Sequence, residues 1–207
     1  QAVKVGLLFS VLLTGGCLCI PSKHNYSTSA DLRESGAGRV VVATVDTRED
    51  VLSGKRSPDF TGVVRGGFGN PFKVRTTSGR PLAEEFNQSV VNSLSRAGYQ
   101  AEALAVVRAE IPEAAAVRLK QAGAPRSILL TVNRWKTDQY MSISLEYDLV
   151  LRVFGADGSK IAEIKAAGED NLGQGGKGFA ARVATEALRK KLKELLDDAE
   201  VRAALKS

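Results

Sequence analysis

Few side chains in this sequence could carry out acid–base, nucleophilic or metal chemistry. A single histidine, His24, stands among 207 residues, in a polar stretch near the N-terminus and away from any hydrophobic run. This reading places His24 outside the folded domain, which excludes Ser-His-Asp and Cys-His relays and histidine-based zinc sites from it. No Ser-x-x-Lys opens a helix. The run Gly173-Gln174-Gly175-Gly176-Lys177-Gly178 satisfies G-x-G-x-x-G and precedes a helix. A dinucleotide site needs that run after the first strand of a βαβ unit, with an acid ending the second strand. Here it follows a strand meander and is followed by the final helix. It also misses the phosphate-loop pattern, because position 171 is Asn and Lys177 precedes the last glycine. A connecting loop is the favoured reading, with anion binding at the helix N-terminus as the functional alternative. Asp46, Glu49 and Asp50 at a strand end could touch a metal, but loop acids are solvated by default. The cluster Arg189, Lys190, Lys191 and Lys193 could meet lipid head groups and reads first as a solvated helix face. Trp135, Tyr140 and Tyr147 read as packing residues. No cofactor and no catalytic set is implied.

The N-terminus says more. Lys4 is followed by an apolar stretch, Val5 to Leu13, then by Thr14-Gly15-Gly16 and Cys17. A cation, a short apolar core and small residues before a cleavage point describe a secretory signal. The ending Leu13-Thr14-Gly15-Gly16-Cys17 resembles the lipobox of bacterial lipoproteins, with Thr14 where a leucine is usual. On that resemblance residues 1–16 form a signal peptide, and Cys17 is acylated and becomes the mature N-terminus. A membrane-spanning helix wants about 18 or more apolar residues, and this run extends that far only across Thr14, Gly15 and Gly16. Cys17 and Cys19 are the only cysteines, one residue apart, so no disulfide framework supports the domain. Leu18 follows Cys17 where an aspartate resembles an inner-membrane retention signal, so the expected location is the outer membrane, lipid-anchored and facing the periplasm.

The composition is that of a globular chain, 43% hydrophobic and 25% charged. With aromatics at 6%, the core must rest on Val, Leu, Ile and Ala. The formal charge is +6, and the segment before Cys17 holds one lysine and no acid, so the surplus stays with the mature part. That surplus suits anionic lipid or cell-wall polymer. It is too diffuse for nucleic acid, since no dense basic run carries interleaved aromatics.

Residues 21–38 are polar, small and without periodicity, which predicts a flexible tether from 17 to 38. Arg39 to Val45 is a β-branched run suited to a buried strand. A glycine-rich region follows, with short extended pieces at Val63-Val64 and Phe72 to Val74. Leu82, Phe86, Val90 and Leu94 recur every four residues, behind Pro81 and before Gly98, and predict a helix. Tyr99 to Val107 reads as a strand, and Pro112 opens a short helix to about Gln121. Ser127–Trp135, Met141–Phe154 and Ser159–Ala167 read as three consecutive strands. The middle one alternates: Ile143, Leu145, Tyr147, Leu149, Leu151 and Val153 face one way, with Ser144, Glu146, Asp148 and Arg152 opposite. The last helix runs from about Phe179 to Leu196, with a helical tail from Glu200 to Leu205. The order β-α-β-α-β-β-β-α predicts one α+β domain over 39–207, a mixed or antiparallel sheet with helices packed on it.

The strand leading into Asp46-Thr47-Arg48, the stretch Gly62 to Gly69 (GVVRGGFG) and the helix ending Arg96-Ala97-Gly98-Tyr99 complete a pattern with Leu196-Asp197-Asp198. It resembles the YajG-type bacterial lipoprotein family over roughly 39–205, while Phe72 to Thr77 fits poorly. The resemblance implies an outer-membrane lipoprotein with no catalytic residues to carry over. It marks Asp46, Arg48, Gly66, Gly67 and Gly69 as candidate interaction positions. The expected function is a membrane-anchored, non-catalytic envelope protein that binds a protein, lipid or cell-wall partner. The alternatives are a periplasmic enzyme using carboxylates or lysine, which needs a deep pocket of convergent acids, and a lipid-carrying transport auxiliary, which needs an apolar cavity.

Overall fold

The computed structural model describes residues 22–206, apart from the side chain of Lys177. Cys17 and the signal-like segment lie outside the described residues. The fold is a single α+β domain. In chain order its elements are β1 (Lys23–His24), β2 (Arg39–Asp46), α1 (Glu49–Leu52), β3 (Phe60–Arg65), β4 (Pro71–Thr76), α2 (Leu82–Arg96) and β5 (Gln100–Ala103). There follow α3 (Pro112–Gln121), β6 (Arg126–Gln139), β7 (Ile143–Gly155), β8 (Lys160–Asn171), α4 (Lys177–Leu196) and α5 (Ala199–Lys206).

One mixed sheet holds all eight described strands, in the order β1-β4-β3-β6-β2-β5, with β7 and β8 continuing from β6. The long strand β6 organises it. Along one edge β6 pairs antiparallel with β7 from Arg126 to Gln139. Its other edge is shared by two strands in succession, both parallel to it: β2 from Arg126 to Val132, then β3 from Thr137 to Gln139. Close approach at the second junction requires a glycine, because a Cβ on Gly62 would lie 2.2 Å from the Thr137 carbonyl oxygen.

The main core lies on one face of the sheet, where α2, α4 and α5 cover Val40, Val42, Ile128, Leu130, Leu145, Leu149 and Leu151. The opposite face carries a smaller cluster, Val41, Ala43, Val45 and Leu129 against Ala115 and Leu119 of α3. β2 is therefore buried on both sides, which accounts for its run of valines and alanine, broken only by Thr44, whose hydroxyl donates to the Asn87 side chain. The alternation read for β7 is present, and the three-strand meander extends further than expected, each strand having 12 to 14 residues. The extended pieces around Val63 and Phe72 are complete six-residue strands. The strand expected over 99–107 is only Gln100–Ala103, because it has a partner only along the first half of β2.

The expected flexible tether is corrected over its described part, residues 22–38. Residues 22–32 form an extended strap across α2, with Tyr26 and Ala30 fully buried. Alternate strap amides donate to α2 side chains one turn apart: Tyr26 to Glu85 Oε2 at 2.9 Å, Thr28 to Ser89 Oγ at 3.1 Å and Ala30 to Ser93 Oγ at 2.8 Å. Two strand residues advance about 6.6 Å and four helix residues about 6.0 Å, so the two repeats stay in step. Thr185 of α4 donates to the Asn25 carbonyl at 2.6 Å, which places the strap between two helices. The Tyr26 ring packs edge-on against Phe86 and Trp135.

His24 thus belongs to the folded domain, contrary to the expectation from sequence. It is 2% exposed, and its Nδ1 lies 3.1 Å from the Tyr26 hydroxyl. Burial lowers its pKa to about 4 from the ordinary 6.5. The unfolded chain then takes up this proton near pH 6.5 while the folded chain resists until about pH 4, so stability falls as the solution is acidified through that window. Because His24 is the only histidine, the loss, up to about 3 kcal/mol, reports on it alone over the upper part of the window. Denaturant midpoints measured from pH 7 to 4.5 should fall in the parent and stay nearly flat in H24N. Tyr26→Ala, which empties the strap's anchor pocket, should cost about 3–5 kcal/mol and speed amide exchange over residues 24–32.

Candidate functional site

The fork where β2 leaves β6 and β3 joins it is a polar recess of the domain. β6 bulges between Val132 and Arg134, turning Asn133 outward. Thr47, the first residue beyond β2, bonds both the Val132 carbonyl and the Asn133 side chain there. The chain then turns through α1 and returns at Pro58 and Phe60 with carbonyl groups facing the gap. Arg48 fills it. Its guanidinium donates to both oxygens of Asp46 at 2.8 and 2.7 Å, to the Phe60 carbonyl at 2.6 Å and to the Pro58 carbonyl at 3.1 Å. Arg48 is 3% exposed, so these bonds satisfy a charge removed from water. The pair read from sequence as candidate interaction positions holds the sheet together at this fork and also lines the recesses beside it.

Over this clasp lies a cleft of about 270 Å³ lined by Arg48, Glu49, Asp50, Lys55, Asn133, Arg134, Trp135, Lys136 and Glu146. Its charges are mixed. Glu146 pairs with Arg134 and Lys136 at 3.9 and 3.7 Å, and Arg48 is neutralised by Asp46. Glu49 and Asp50 line it from α1. No group of three or more His, Cys, Asp or Glu among the described residues is placed to hold a metal.

Gly66, Gly67 and Gly69 sit elsewhere, at the tip of the β3–β4 hairpin. The Gly66 amide bonds the Asn70 carbonyl, the Gly69 amide bonds the Gly66 carbonyl, and Gly69 adopts φ +81°. The five residues of β3 beyond Phe60 separate this tip from Arg48, about 17 Å of strand. Asp46 and Arg48 on one side and the three glycines on the other are therefore two places, not one site.

The glycine run before α4 has a packing explanation. A Cβ on Gly175 would lie 2.5 Å from the Phe179 ring, and the Gly173 carbonyl accepts from the Ile143 amide. The basic cluster on α4 is not a uniformly solvated face. Lys191 is 4% exposed, 3.0 Å from Asp170 and 3.9 Å above the Tyr147 ring. Burial works against its charge, but Tyr147 and Asp170 outweigh that and hold the ammonium above its ordinary value. Trp135 packs at 1% exposure, whereas Tyr140, expected to pack, is 56% exposed.

An apolar groove of about 190 Å³ runs between α1 and the segment before α3, lined by Val51, Leu52, Pro58, Pro81 and Val107 among others. That is below the range of about 300–1,000 Å³ usual for small-molecule sites. The space between sheet and helices is filled by the side chains of the main core. A larger, open recess of about 380 Å³ lies beside the start of α2, lined by Arg80, Glu84, Asn87, Gln88 and residues 103–106, with Glu84 its single carboxylate.

No family model matches the sequence, and no curated protein matches it. Solved structures do. Protein XCC0632 from Xanthomonas campestris (family-model DUF330) is 14% identical, with a TM-score of 0.56 over 89% of this chain and 96% of that one. At that identity the likeness shows the fold. Looser likenesses are the PelC dodecamer from Paraburkholderia phytofirmans and lipoprotein GNA1162 from Neisseria meningitidis. The first has TM-score 0.42 and 16% identity over 81% and 93% of the two chains; the second has 0.30 and 13% over 74% and 97%.

The Arg48 clasp makes a prediction of its own. Arg48→Ala leaves the Asp46 carboxylate and two carbonyls without their donor and should cost about 3–5 kcal/mol. Arg48→Lys keeps the charge but not the fork of donors, and its denaturant midpoint should fall between the two.

Proposed function

We propose that this chain is a membrane-anchored envelope lipoprotein, acylated at Cys17, whose periplasm-facing domain binds a partner and performs no catalysis. One observation carries the reading. Among the described residues, Arg48 and Glu146 of the polar cleft are paired within the fold, whereas three strongly exposed apolar side chains stand on two neighbouring turns. Phe68 is 99% exposed, Met141 80% and Tyr140 56%. Apolar side chains displayed together on a surface suit contact with a partner.

The lipobox-like ending at Cys17 supports anchoring, and no described helix is long and apolar enough to cross a membrane. Outer-membrane placement follows from Leu18 after Cys17, together with the YajG-type resemblance. The partner is a protein, lipid or cell-wall polymer of the envelope. The excess of Lys and Arg over Asp and Glu, 29 against 23, suits an anionic one.

Intact-mass measurement of the protein purified from bacterial envelopes tests this. A mature chain starting at Cys17 and carrying acyl chains is expected, and Cys17→Ser should release the domain into the soluble periplasmic fraction. An unmodified Cys17 on a membrane-bound chain would overturn the anchor. Crosslinking in intact envelopes should capture a partner, and repeatedly empty captures would count against a binding role.

A further inference from the structure

The strap changes how far the domain can stand from its anchor. With residues 22–38 docked, only five peptide steps separate Cys17 from Ser22. Fully extended, they reach about 17 Å.

The direction of that reach is set by the sheet. β1 is parallel to β4, with Lys23 opposite Arg75, and the Ser22 carbonyl accepts from the Arg75 amide. The chain therefore joins the domain from the side on which β4 begins. From Val74 back to Pro71 is about 10 Å of strand, and the hairpin turn from Gly66 to Asn70 projects a few ångströms more. A fully extended leash brings Cys17 level with that turn and no further.

The same level carries the exposed apolar side chains. β3 and β6 run parallel, with Val64 opposite Gln139, so the β6–β7 turn at Tyr140–Ser142 stands beside the β3–β4 turn. Phe68 occupies one turn, Tyr140 and Met141 the other, and Phe72, 42% exposed, flanks them on β4. Lys23, Arg65, Lys73 and Arg75 lie just behind, with Asp59 and Asp138 paired to Arg75 and Arg65. Apolar and aromatic tips backed by net positive charge suit an interface of acyl chains and anionic head groups.

We propose that this end of the sheet, the turns Gly66–Asn70 and Tyr140–Ser142, seats in the phospholipid surface. The leash from Cys17 holds it there, and the domain stands with its β7–β8 turn and α5 pointing away. The inference rests on the lipid anchor proposed above. It goes further by fixing which face meets the membrane.

The test uses the full acylated chain in a Cys19→Ser background, with single cysteines F68C, M141C or A156C carrying an environment-sensitive fluorophore. Ala156 lies in the β7–β8 turn at the opposite end and is exposed. In phosphatidylethanolamine–phosphatidylglycerol vesicles, labels at 68 and 141 should shift to the blue and be quenched by spin-labelled acyl chains several-fold more than the label at 156. Equal quenching at all three positions, with Cys17 acylated, overturns the inference and leaves the anchor standing. Labels at 68 and 141 that are shielded without lipid quenching also overturn it, pointing to a second copy of the chain or another protein. An intact mass lacking acyl chains overturns the anchor itself.

Discussion

The strap across α2 depends on a coincidence of two repeats. An extended chain offers an outward amide every second residue, and a helix offers a side chain on one line about every fourth. The two advance by nearly equal amounts, so Glu85, Ser89 and Ser93 can accept from Tyr26, Thr28 and Ala30 without either element bending. The contact does more than tidy an N-terminus. It seals the groove between α2 and α4, places Tyr26 against Phe86 and Trp135, and brings the Tyr26 hydroxyl to His24. Without it the edge of the main core beside Trp135 would face water.

A second constraint lies in the sheet. A strand can pair along each edge with one neighbour at a time, yet β6 is long enough to take β2 and β3 end to end. Between them is a gap where backbone carbonyls have no ladder partner. Such groups are costly when buried, and Arg48 answers the cost with a planar fork of donors that a lysine could not match. The bulge at Asn133 and the glycine at 62 belong to the same solution, one turning β6 away from β2 and the other admitting β3.

Elements with a strong hydrophobic period were legible in the sequence: the α2 stripe, the β6–β8 meander, the buried β2 and the final helix. The strap was not, because its buried residues include Ser22, His24 and Tyr26, which a search for apolar periodicity passes over. A signal did exist on the partner. Glu85, Ser89 and Ser93 repeat every four residues beside the apolar stripe of α2, and polar groups at that spacing next to a core face imply something to bond. Asp46 and Arg48 stood out as a pair, but their spacing alone could not separate a clasp from a binding site. That distinction depends on the carbonyls of Pro58 and Phe60, which only the fold brings near. The grouping of Phe68 with Tyr140 and Met141 was equally hidden, since it follows from β3 and β6 being parallel neighbours.

The strap is also the first part of the domain to be made and among the last that can be placed. Its partners on α2 lie about 60 residues further along the chain, and Thr185 lies 160 residues beyond Asn25. Contacts over such separations form late, after the loop entropy has been met by the rest of the fold. Until then the chain before Arg39 is slack, and 22 residues from Cys17 could span about 75 Å. Docking the strap takes up most of that slack in one step. On the anchor proposed at Cys17, docking the strap would draw the domain toward the membrane only once α2 and α4 are in place.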